Sequence, residues 1–196
     1  MKHFEKSEQL SNYIKDQREG NVVGFVPTMG ALHEGHLSLL RKAKKESDLL
    51  VASVFVNPEQ FENKKDMEQY PKELEKDKEK LKELECDVMF APSVKEIYPN
   101  KPGLDMDFGH LERVMEGKYR PGHFKGVAEV VKRLFRIIQP NKAYFGKKDY
   151  QQLLIIKKMI DQLDFNIEVV GCPIIREKSG LALSSRNKRL NTEKRK

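Results

Sequence analysis

Two histidines in a glycine-containing stretch are the residues of this sequence best suited to chemistry. Residues 27–36 read Pro-Thr-Met-Gly-Ala-Leu-His-Glu-Gly-His, with an apolar run before them and leucines at helical spacing after them. This pattern predicts a buried strand, a glycine turn and the start of a helix. The backbone N–H groups of such a helix start are expected to be unpaired and to face any anion held in the turn, together with the positive end of the helix dipole.

His33 and His36 are three residues apart, so both imidazoles would lie on one helical face and could reach the same phosphate. Two other interpretations stay open at this point. The histidines could be solvent-exposed residues without a role, or they could bind a metal ion. The metal interpretation is the weakest of the three, because no third ligand follows at zinc spacing and the motif differs from the His-Glu-x-x-His of zinc proteases.

Apolar runs and helical periodicity alternate along the chain and predict an α/β fold. Strands are predicted at residues 22–26, 49–56, 87–92, 142–146 and 166–171, and helices at 4–17, 37–43, 71–85, 94–98, 127–138 and from 147 to about 163. Strand, helix and strand at this spacing predict right-handed crossovers and a parallel sheet. Residues 57–70 and 116–126 are predicted to be loops.

Polar residues follow several of the predicted strands. Because the carboxyl ends of parallel strands share one edge, Asn57 and Gln60 are expected to face the same crevice as the two histidines. The loop at 116–126 is rich in glycine and cations, and its Arg120 could hold a carboxylate. Hydroxyls and a guanidinium at residues 184–186 would suit a triphosphate. A polar turn, a mobile loop and a helix N-cap are the ordinary structural interpretations of these three segments.

Composition narrows the class of protein. A chain of 196 residues can form one domain with a substantial core. Cys86 and Cys172 show no paired spacing, so we expect free, buried thiols, and no signal segment or membrane-length apolar run is found. These features predict a soluble, cytoplasmic protein. The formal charge of +7 is concentrated in the last ten residues, which hold five basic residues against one acidic, and it does not require a nucleic-acid partner.

Five motifs, in order, resemble those of the pantothenate synthetase family, the pantoate–β-alanine ligases. They are residues 27–36, Phe-Val-Asn-Pro-Glu-Gln-Phe at 55–61, Arg-Pro-Gly-His-Phe at 120–124, Phe-Gly-Lys-Lys-Asp-Tyr-Gln-Gln at 145–152 and Leu-Ser-Ser-Arg-Asn at 183–187. The resemblance covers nearly the whole chain. It implies the Rossmann-like fold of the HIGH-motif nucleotidyltransferases, a parallel sheet with helices on both faces, in which residues 33–36 are the family's version of that motif.

The resemblance also implies a two-step reaction. The carboxylate of pantoate attacks the α-phosphorus of ATP to give pantoyl adenylate and pyrophosphate, and the amine of β-alanine then attacks the adenylate to give pantothenate and AMP. Magnesium accompanies the ATP. The implied partners are these small molecules and a second copy of the chain in a homodimer, with no nucleic acid and no membrane.

Roles for individual residues follow from the same family match. The implied phosphate-contacting and catalytic residues are His33, His36, Lys148, Ser184, Ser185 and Arg186. Pantoate would be bound by Met29, Asn57, Gln60 and Gln152, and ATP also by Thr28, Met29, Gly35, Gly146 and Asp149. Arg120 and His123 would bind the β-alanine carboxylate, and Asp77 would bind the magnesium ion. From the residues alone, Asp77 would be one solvated charge on a surface helix.

Two departures from the family pattern set further expectations. Glu59 stands where an apolar residue is usual, and Glu62-Asn63-Lys64 replaces a Gly-Pro-Asn-like segment, so we expect this loop to be altered at its surface. Family members continue into a smaller domain that covers the site. We therefore expect residues 1–183 to form the ATP- and pantoate-binding domain and residues 184–196 to begin the next one. A binding module with weak or no activity is the alternative interpretation, and a nucleic-acid-binding domain is a third.

Overall fold

Six parallel strands form one sheet in the computed structural model, which describes residues 1–100, 103 and 105–190. The strands are β1 (Lys2–Phe4), β2 (Val23–Thr28), β3 (Leu49–Val54), β4 (Val88–Phe90), β5 (Lys142–Gly146) and β6 (Glu168–Cys172). Their order across the sheet is β1-β4-β3-β2-β5-β6. The chain therefore moves outward in one direction from β2 and returns to its other side with β5, which places a topological switch point between β2 and β5.

Eight α-helices connect or flank the strands in the described part of the chain. They are α1 (Ser7–Gln17), α2 (Glu34–Glu46), α3 (Lys64–Glu68), α4 (Leu74–Glu83), α5 (Val94–Ile97), α6 (Met115–Tyr119), α7 (His123–Ile138) and α8 (Tyr150–Leu163). Short 3₁₀ turns lie at Pro58–Gln60, Gly109–Glu112, Lys147–Asp149 and Ser185–Arg189.

Successive side chains of the central strands point to opposite faces of the sheet and form an apolar core on each face. In β3, Leu49 and Val51 belong to one apolar cluster and Leu50 and Ala52 to the other. Helices α1, α7 and α8 cover the first face, and α2 and α4 cover the second. Helices on both faces of a parallel sheet confirm the predicted α/β, Rossmann-like fold.

Three local predictions are corrected by the structure. The N-terminal helix predicted at 4–17 begins only at Ser7, because residues 2–4 form the edge strand β1 beside β4. The predicted loop at 57–70 contains the short helix α3. Most of the predicted loop at 116–126 is helical. Residues 116–119 belong to α6, and Gly122, with a positive φ of 82°, turns the chain directly into α7 at His123.

Both cysteines are free and buried, as predicted. No helix among the described residues is both long and apolar enough to cross a membrane. Residues 191–196, which carry part of the basic tail, lie outside the described residues.

Candidate active site

A cavity of about 360 Å³ opens at the carboxyl ends of the central strands, at the switch point between β2 and β5. Its wall on one side is apolar and comes mainly from α7, including Val127, Val130 and Val131. The structure brings nearly all of the predicted site residues to this cavity: Thr28, Met29, His33, Gly35, His36, Asn57, Gln60, Arg120, His123, Gly146, Lys148, Asp149, Gln152, Ser184, Ser185 and Arg186. Asp77 is the exception, since it does not line the cavity.

His33 and His36 cap the start of α2 reciprocally. The Nδ1 atom of His33 accepts a hydrogen bond from the N–H of Gly35 at 3.2 Å. The Nδ1 atom of His36 in turn accepts from the N–H of His33 at 3.4 Å, and the two ring centroids are 4.0 Å apart. This is a capping box built from two imidazoles in place of the usual serine and glutamate.

The capping bonds determine which ring nitrogen carries the proton. A backbone N–H can only donate, so each Nδ1 must be the unprotonated acceptor, and in a neutral ring the proton then resides on Nε2. Burial, together with the neighbouring His33, Lys148 and Lys80, lowers the pKa of His36 to about 3. His36 is therefore neutral at physiological pH and presents an Nε2–H donor, which can bind an anion without carrying a full charge.

Most backbone N–H groups of the turn before α2 already have acceptors within the protein, so the prediction of unpaired N–H groups was wrong at these positions. The carboxylate of Asp77 accepts from the N–H of Ala31 at 2.8 Å and from that of Leu32 at 2.7 Å. The N–H of Gly30 is bound by the hydroxyl of Thr28 at 3.1 Å. Since His33 and Gly35 donate to the imidazoles, anion binding here depends on side chains rather than on the backbone.

Asp77 acts as an internal anion for this turn. Gly30 and Ala31 have positive φ angles of 80° and 50°, which point successive N–H groups toward the carboxylate. The side chain is only 1% exposed, so it is not the solvated surface charge that the local sequence indicated. Burial raises the pKa of Asp77, while its two backbone hydrogen bonds oppose that effect. Because the carboxylate is buried outside the cavity and both of its oxygens accept backbone hydrogen bonds, the geometry does not present Asp77 as a magnesium ligand.

Two further side chains form hydrogen bonds to the carbonyl groups of the turn. Lys80, one helical turn after Asp77 on α4, donates to the carbonyl of Leu32 at 2.5 Å. Ser185 donates its hydroxyl to the carbonyl of Ala31 at 3.3 Å and is buried. The segment that positions the histidines is therefore held both by α4 and by the loop at residues 183–187, here called the late loop.

Asn57 and Gln60 form one hydrogen-bonded unit at the end of β3. The side-chain nitrogen of Asn57 donates to Oε1 of Gln60 and to the carbonyl of Gly126, both at 3.1 Å. Its oxygen accepts from the N–H of Glu59 at 3.2 Å and from the hydroxyl of Tyr98 at 2.8 Å. Asn57 is 1% exposed and fully hydrogen-bonded, so it supports Gln60 rather than offering many groups to a ligand.

Arg120 and His123 lie beside the backbone of Gln60. The Nδ1 atom of His123 is 2.9 Å from the carbonyl of Gln60, and its Nε2 atom is 3.1 Å from a guanidinium nitrogen of Arg120. Because the carbonyl only accepts and the guanidinium only donates, His123 is neutral with its proton on Nδ1. Burial lowers the pKa of His123, in agreement with this state. Arg120 also pairs with Glu116 at 2.5 Å and Glu62 at 3.6 Å.

The start of the 3₁₀ turn after β5 brings a lysine to the cavity. Lys148 lines it and forms an ion pair with Asp149 at 3.0 Å. Both side chains are partly exposed, so solvent weakens their pairing and a phosphate could compete for the lysine. Gln152 lines the cavity one turn later, and its side chain shows no hydrogen bond to a described residue.

The late loop crosses the cavity and reaches the segment after β3. Ser184 caps the last 3₁₀ turn, with its hydroxyl accepting from the N–H of Arg186 at 3.3 Å. The Arg186 guanidinium donates to Asp66 of α3 at 2.9 Å and lies 5.6 Å from the centre of the Tyr70 ring. The guanidinium also lies 6.0 Å from the centre of the Phe61 ring, so one ion pair and two cation–π contacts join the two segments.

Known proteins are similar to this chain in sequence. A model of the family described as pantoate-beta-alanine ligase matches residues 2–196. The chain belongs to this family. It is 52% identical over 196 residues to the pantothenate synthetase of Porphyromonas gingivalis, which covers 100% of this chain and 70% of that protein. It is also 52% identical over 179 residues to that of Cytophaga hutchinsonii, covering 91% and 63%.

Solved structures of the ligase family have the same fold. The pantothenate synthetase of Thermus thermophilus matches with a TM-score of 0.93 and 48% identity, over 100% of this chain and 70% of that one. The pantoate-beta-alanine ligase of Francisella tularensis, complexed with beta-gamma ATP and beta-alanine, matches with a TM-score of 0.95 and 44% identity, over 98% and 74%. The chain thus spans 63% to 74% of the length of these four relatives.

Two structural residues of this ligase-family site were missed from the sequence. A Cβ atom at Gly126 would lie 2.1 Å from the carbonyl oxygen of Glu59, so glycine lets α7 pack directly against the segment that carries Gln60. Gln151 donates to the carbonyls of Leu111 and Val114 at 2.6 and 2.8 Å and thereby attaches the start of α6 to α8. A glycine inside an otherwise apolar helix was the sequence signal that could have identified Gly126.

The departures from the family pattern lie at the surface, as expected. Glu59, Glu62 and Asn63 are exposed. Asn63 caps α3 by accepting from the N–H of Lys65 at 2.8 Å. The altered segment therefore forms a capped helical turn, which brings Asp66 to Arg186.

Proposed function

We propose that this chain binds ATP and pantoate and joins pantoate to β-alanine through a pantoyl adenylate. The observation that carries the proposal is that two imidazoles, Lys148 and the amides of Gln60 and Gln152 converge in one cavity at the switch point. Hydrogen-bond donors for phosphate oxygens then lie beside hydrogen-bond donors for hydroxyl or carboxylate groups. An adenylating site requires both sets. The Francisella tularensis relative, complexed with an ATP compound and beta-alanine, supports the same assignment.

In the first step, a pantoate carboxylate oxygen forms a bond to the α-phosphorus of ATP, and the bond from that phosphorus to the bridging oxygen breaks. Pyrophosphate leaves with the electron pair. The protein needs no nucleophile of its own, since both reactants are substrates. Its task is to hold two anions together and to stabilise the charge that develops on the phosphates.

His33, His36 and Lys148 are the groups we assign to that task. The imidazoles donate through Nε2–H from one side, with their rings held in place by the capping bonds. Lys148 supplies a positive charge, and Ser184 and Arg186 approach from the late loop. Donors fixed before the reaction require no reorganisation when charge develops, which is the main source of their catalytic effect.

Pantoate is assigned to the part of the cavity between Gln60, Gln152 and α7. Its hydroxyl and carboxylate oxygens can accept from the two amide groups, and its geminal methyl groups suit the wall formed by Val127, Val130 and Val131. Met29 lies beside this region, and Asn57 supports its floor.

In the second step, the amine of β-alanine attacks the acyl carbon of the adenylate. The bond from that carbon to the phosphate oxygen breaks, AMP leaves with the oxygen, and the amine loses a proton. We assign the β-alanine carboxylate to Arg120 and His123, although Arg120 would then exchange one of its two carboxylate partners for the substrate. A guanidinium can bind a carboxylate through two parallel hydrogen bonds.

Magnesium enters, in this proposal, as part of the nucleotide substrate. No group of three or more His, Cys, Asp or Glu side chains in the described ranges could hold a metal ion. Asp149, at the cavity, is the carboxylate better placed to meet the ion than Asp77, whose two oxygens accept backbone hydrogen bonds. Thr28, Gly35 and Gly146 are assigned to the nucleotide because they border the same cavity.

Three further assignments accompany the reaction. We propose a division into a binding domain at 1–183 and a separate segment at 184–196. A homodimer is proposed, with the exposed side chains of Met115, Tyr119 and Tyr150 as candidate contacts on neighbouring elements. A cytoplasmic location is proposed on the two free thiols.

The proposal is tested by exchange of labelled pyrophosphate into ATP. Exchange is expected only when pantoate and magnesium are both present, and it should not require β-alanine. Nucleotide binding by calorimetry without exchange would favour a non-catalytic binding module. Binding of an oligonucleotide with no affinity for ATP would instead support a nucleic-acid-binding domain.

A further inference from the structure

The orientation of the Gln60 amide is determined by a chain of hydrogen bonds that begins outside the cavity. The N–H of Glu59 can only donate, so the Asn57 atom that faces it must be the oxygen. The carbonyl of Gly126 can only accept, so the atom that faces it must be the Asn57 nitrogen. That nitrogen also donates to Gln60, which therefore uses Oε1 for Asn57 and keeps its NH₂ group for the cavity.

Tyr98 provides the remaining bond of this chain. Its hydroxyl donates to the Asn57 oxygen at 2.8 Å. Tyr98 does not line the cavity, and its hydrogen-bonded link to Gln60 runs through Asn57. Burial is the main reason why the pKa of Tyr98 is raised above its ordinary value, so the hydroxyl keeps its proton and remains a donor.

The ring of Tyr98 packs against two neighbouring side chains. The guanidinium of Arg133 lies 5.0 Å from its centre, and the ring of Phe55 lies 6.4 Å away. Arg133 is in turn fixed by the carbonyl of Ile97 at 3.0 Å and by the buried carboxylate of Glu129 at 2.5 Å. A side chain supported this closely can transmit a defined orientation to its hydrogen-bond partner.

We propose that Tyr98 is a positioning residue that, through Asn57, holds the Gln60 amide with its NH₂ group toward the acid substrate. The site then selects ligands with an oxygen acceptor at that point, such as a hydroxyl or carboxylate, over ligands with a donor there. This inference rests on the proposed function, since pantoate is the ligand assigned to Gln60. A flipped amide would present an oxygen to a substrate carboxylate and repel it.

The test uses Tyr98→Phe, which removes the hydroxyl and keeps the ring. Tyr13→Phe is the matched control, because Tyr13 is also partly buried but does not line the cavity and packs on Phe4 near β1. In the full chain, Y98F is expected to raise the KM for pantoate roughly three- to tenfold and to leave the KM for ATP and the Tm at the values of Y13F. Added to Gln60→Ala, it should have no further effect on the KM for pantoate.

Several results would overturn the inference. These are an unchanged KM for pantoate in Y98F, an equal rise in the KM for ATP, or an effect that adds fully to that of Q60A. A readout without substrate separates this inference from the proposed function: the ¹⁵N–¹H signals of the Asn57 and Gln60 side-chain amides should shift and exchange faster with solvent in Y98F. If the wild-type chain shows no pantoate-dependent exchange, the proposed function fails, while unchanged amide signals reject the role of Tyr98.

Discussion

His33 and His36 each use Nδ1 to accept a backbone hydrogen bond at the start of α2, and this reciprocal capping directs the proton of a neutral ring to Nε2. One pair of side chains therefore has two functions. The Nδ1 atoms stabilise the helix start, and the Nε2–H groups are the donors that we assign to the phosphates of a nucleotide. The two functions can be separated by substitution, because asparagine and glutamine place an amide at the positions of Nδ1 and Nε2 respectively.

His33→Asn and His36→Asn are expected to keep the capping acceptor and lose the phosphate donor. Each should lower kcat for pyrophosphate exchange by about 10²–10³. The free energy of unfolding, measured by urea denaturation, should change by less than about 1 kcal/mol because asparagine is a good capping residue. His33→Gln and His36→Gln should show the opposite balance, with more activity retained and more stability lost. Equal behaviour of the two substitution types would contradict the division of roles.

The depressed pKa of His36 predicts a pH dependence of stability. In the unfolded chain the ring takes up a proton near pH 6.5, whereas in the folded chain it does so only near pH 3. The contribution of this group is therefore fully present above pH 6.5, and the free energy of unfolding falls as the pH decreases from 6.5 toward 3. Denaturation curves at several pH values should show this slope in the wild type and a smaller one in H36N. A ring that titrates near its ordinary pKa by NMR in the folded protein would refute the assignment.

Asp77→Asn is expected to disturb the turn without changing the need for magnesium. One of the two N–H groups of Ala31 and Leu32 would then face an amide NH₂ and lose its acceptor, which should cost about 1–3 kcal/mol of stability and lower the exchange rate. The magnesium concentration for half-maximal exchange should match the wild type. Glu75→Gln, at an exposed position of the same helix, is the control. A marked rise in the magnesium requirement of folded D77N would instead assign the ion to Asp77.

The ion pair between Arg186 and Asp66 predicts a competition with the nucleotide. Both side chains are partly exposed, so their pairing is worth about 0–1 kcal/mol. Asp66→Asn should release this pairing and lower the KM for ATP by up to about fivefold, while Arg186→Gln should lower kcat by about 10²–10³. Steady-state exchange kinetics measure both, with the exposed Asp16→Asn as the control. A higher KM for ATP in D66N would show that Asp66 aids nucleotide binding.

The strand–turn–helix at residues 23–46 could be predicted from the sequence because its pattern is local. A continuous apolar run, two glycines and leucines at helical spacing determine the element types without reference to the rest of the chain. The same stretch contained a signal for the reciprocal capping of the two histidines, since a polar pair at N-cap and N3 is the spacing of a capping box. The edge strand β1 was missed because three residues are too few to show a period.

The errors at the site come from contacts between residues that are distant in the sequence. Asp77 is 46 residues from Ala31, so nothing local shows that its carboxylate would bind the N–H groups of the turn. Tyr98 is 41 residues from Asn57, and Gly126 lies against Glu59 from another helix. Family motifs identify the residues that line the cavity, but the residues that hold them in place become visible only when the elements are packed.

The central claim is that the pantoate carboxylate attacks the α-phosphorus of ATP, and isotope transfer tests it most directly. Pantoate labelled with ¹⁸O in its carboxylate would be incubated with the full chain, ATP, magnesium and β-alanine, and the products analysed by mass spectrometry. The account predicts one ¹⁸O atom in AMP and one in the amide carbonyl of pantothenate. AMP without label, or label found in inorganic phosphate, would contradict it.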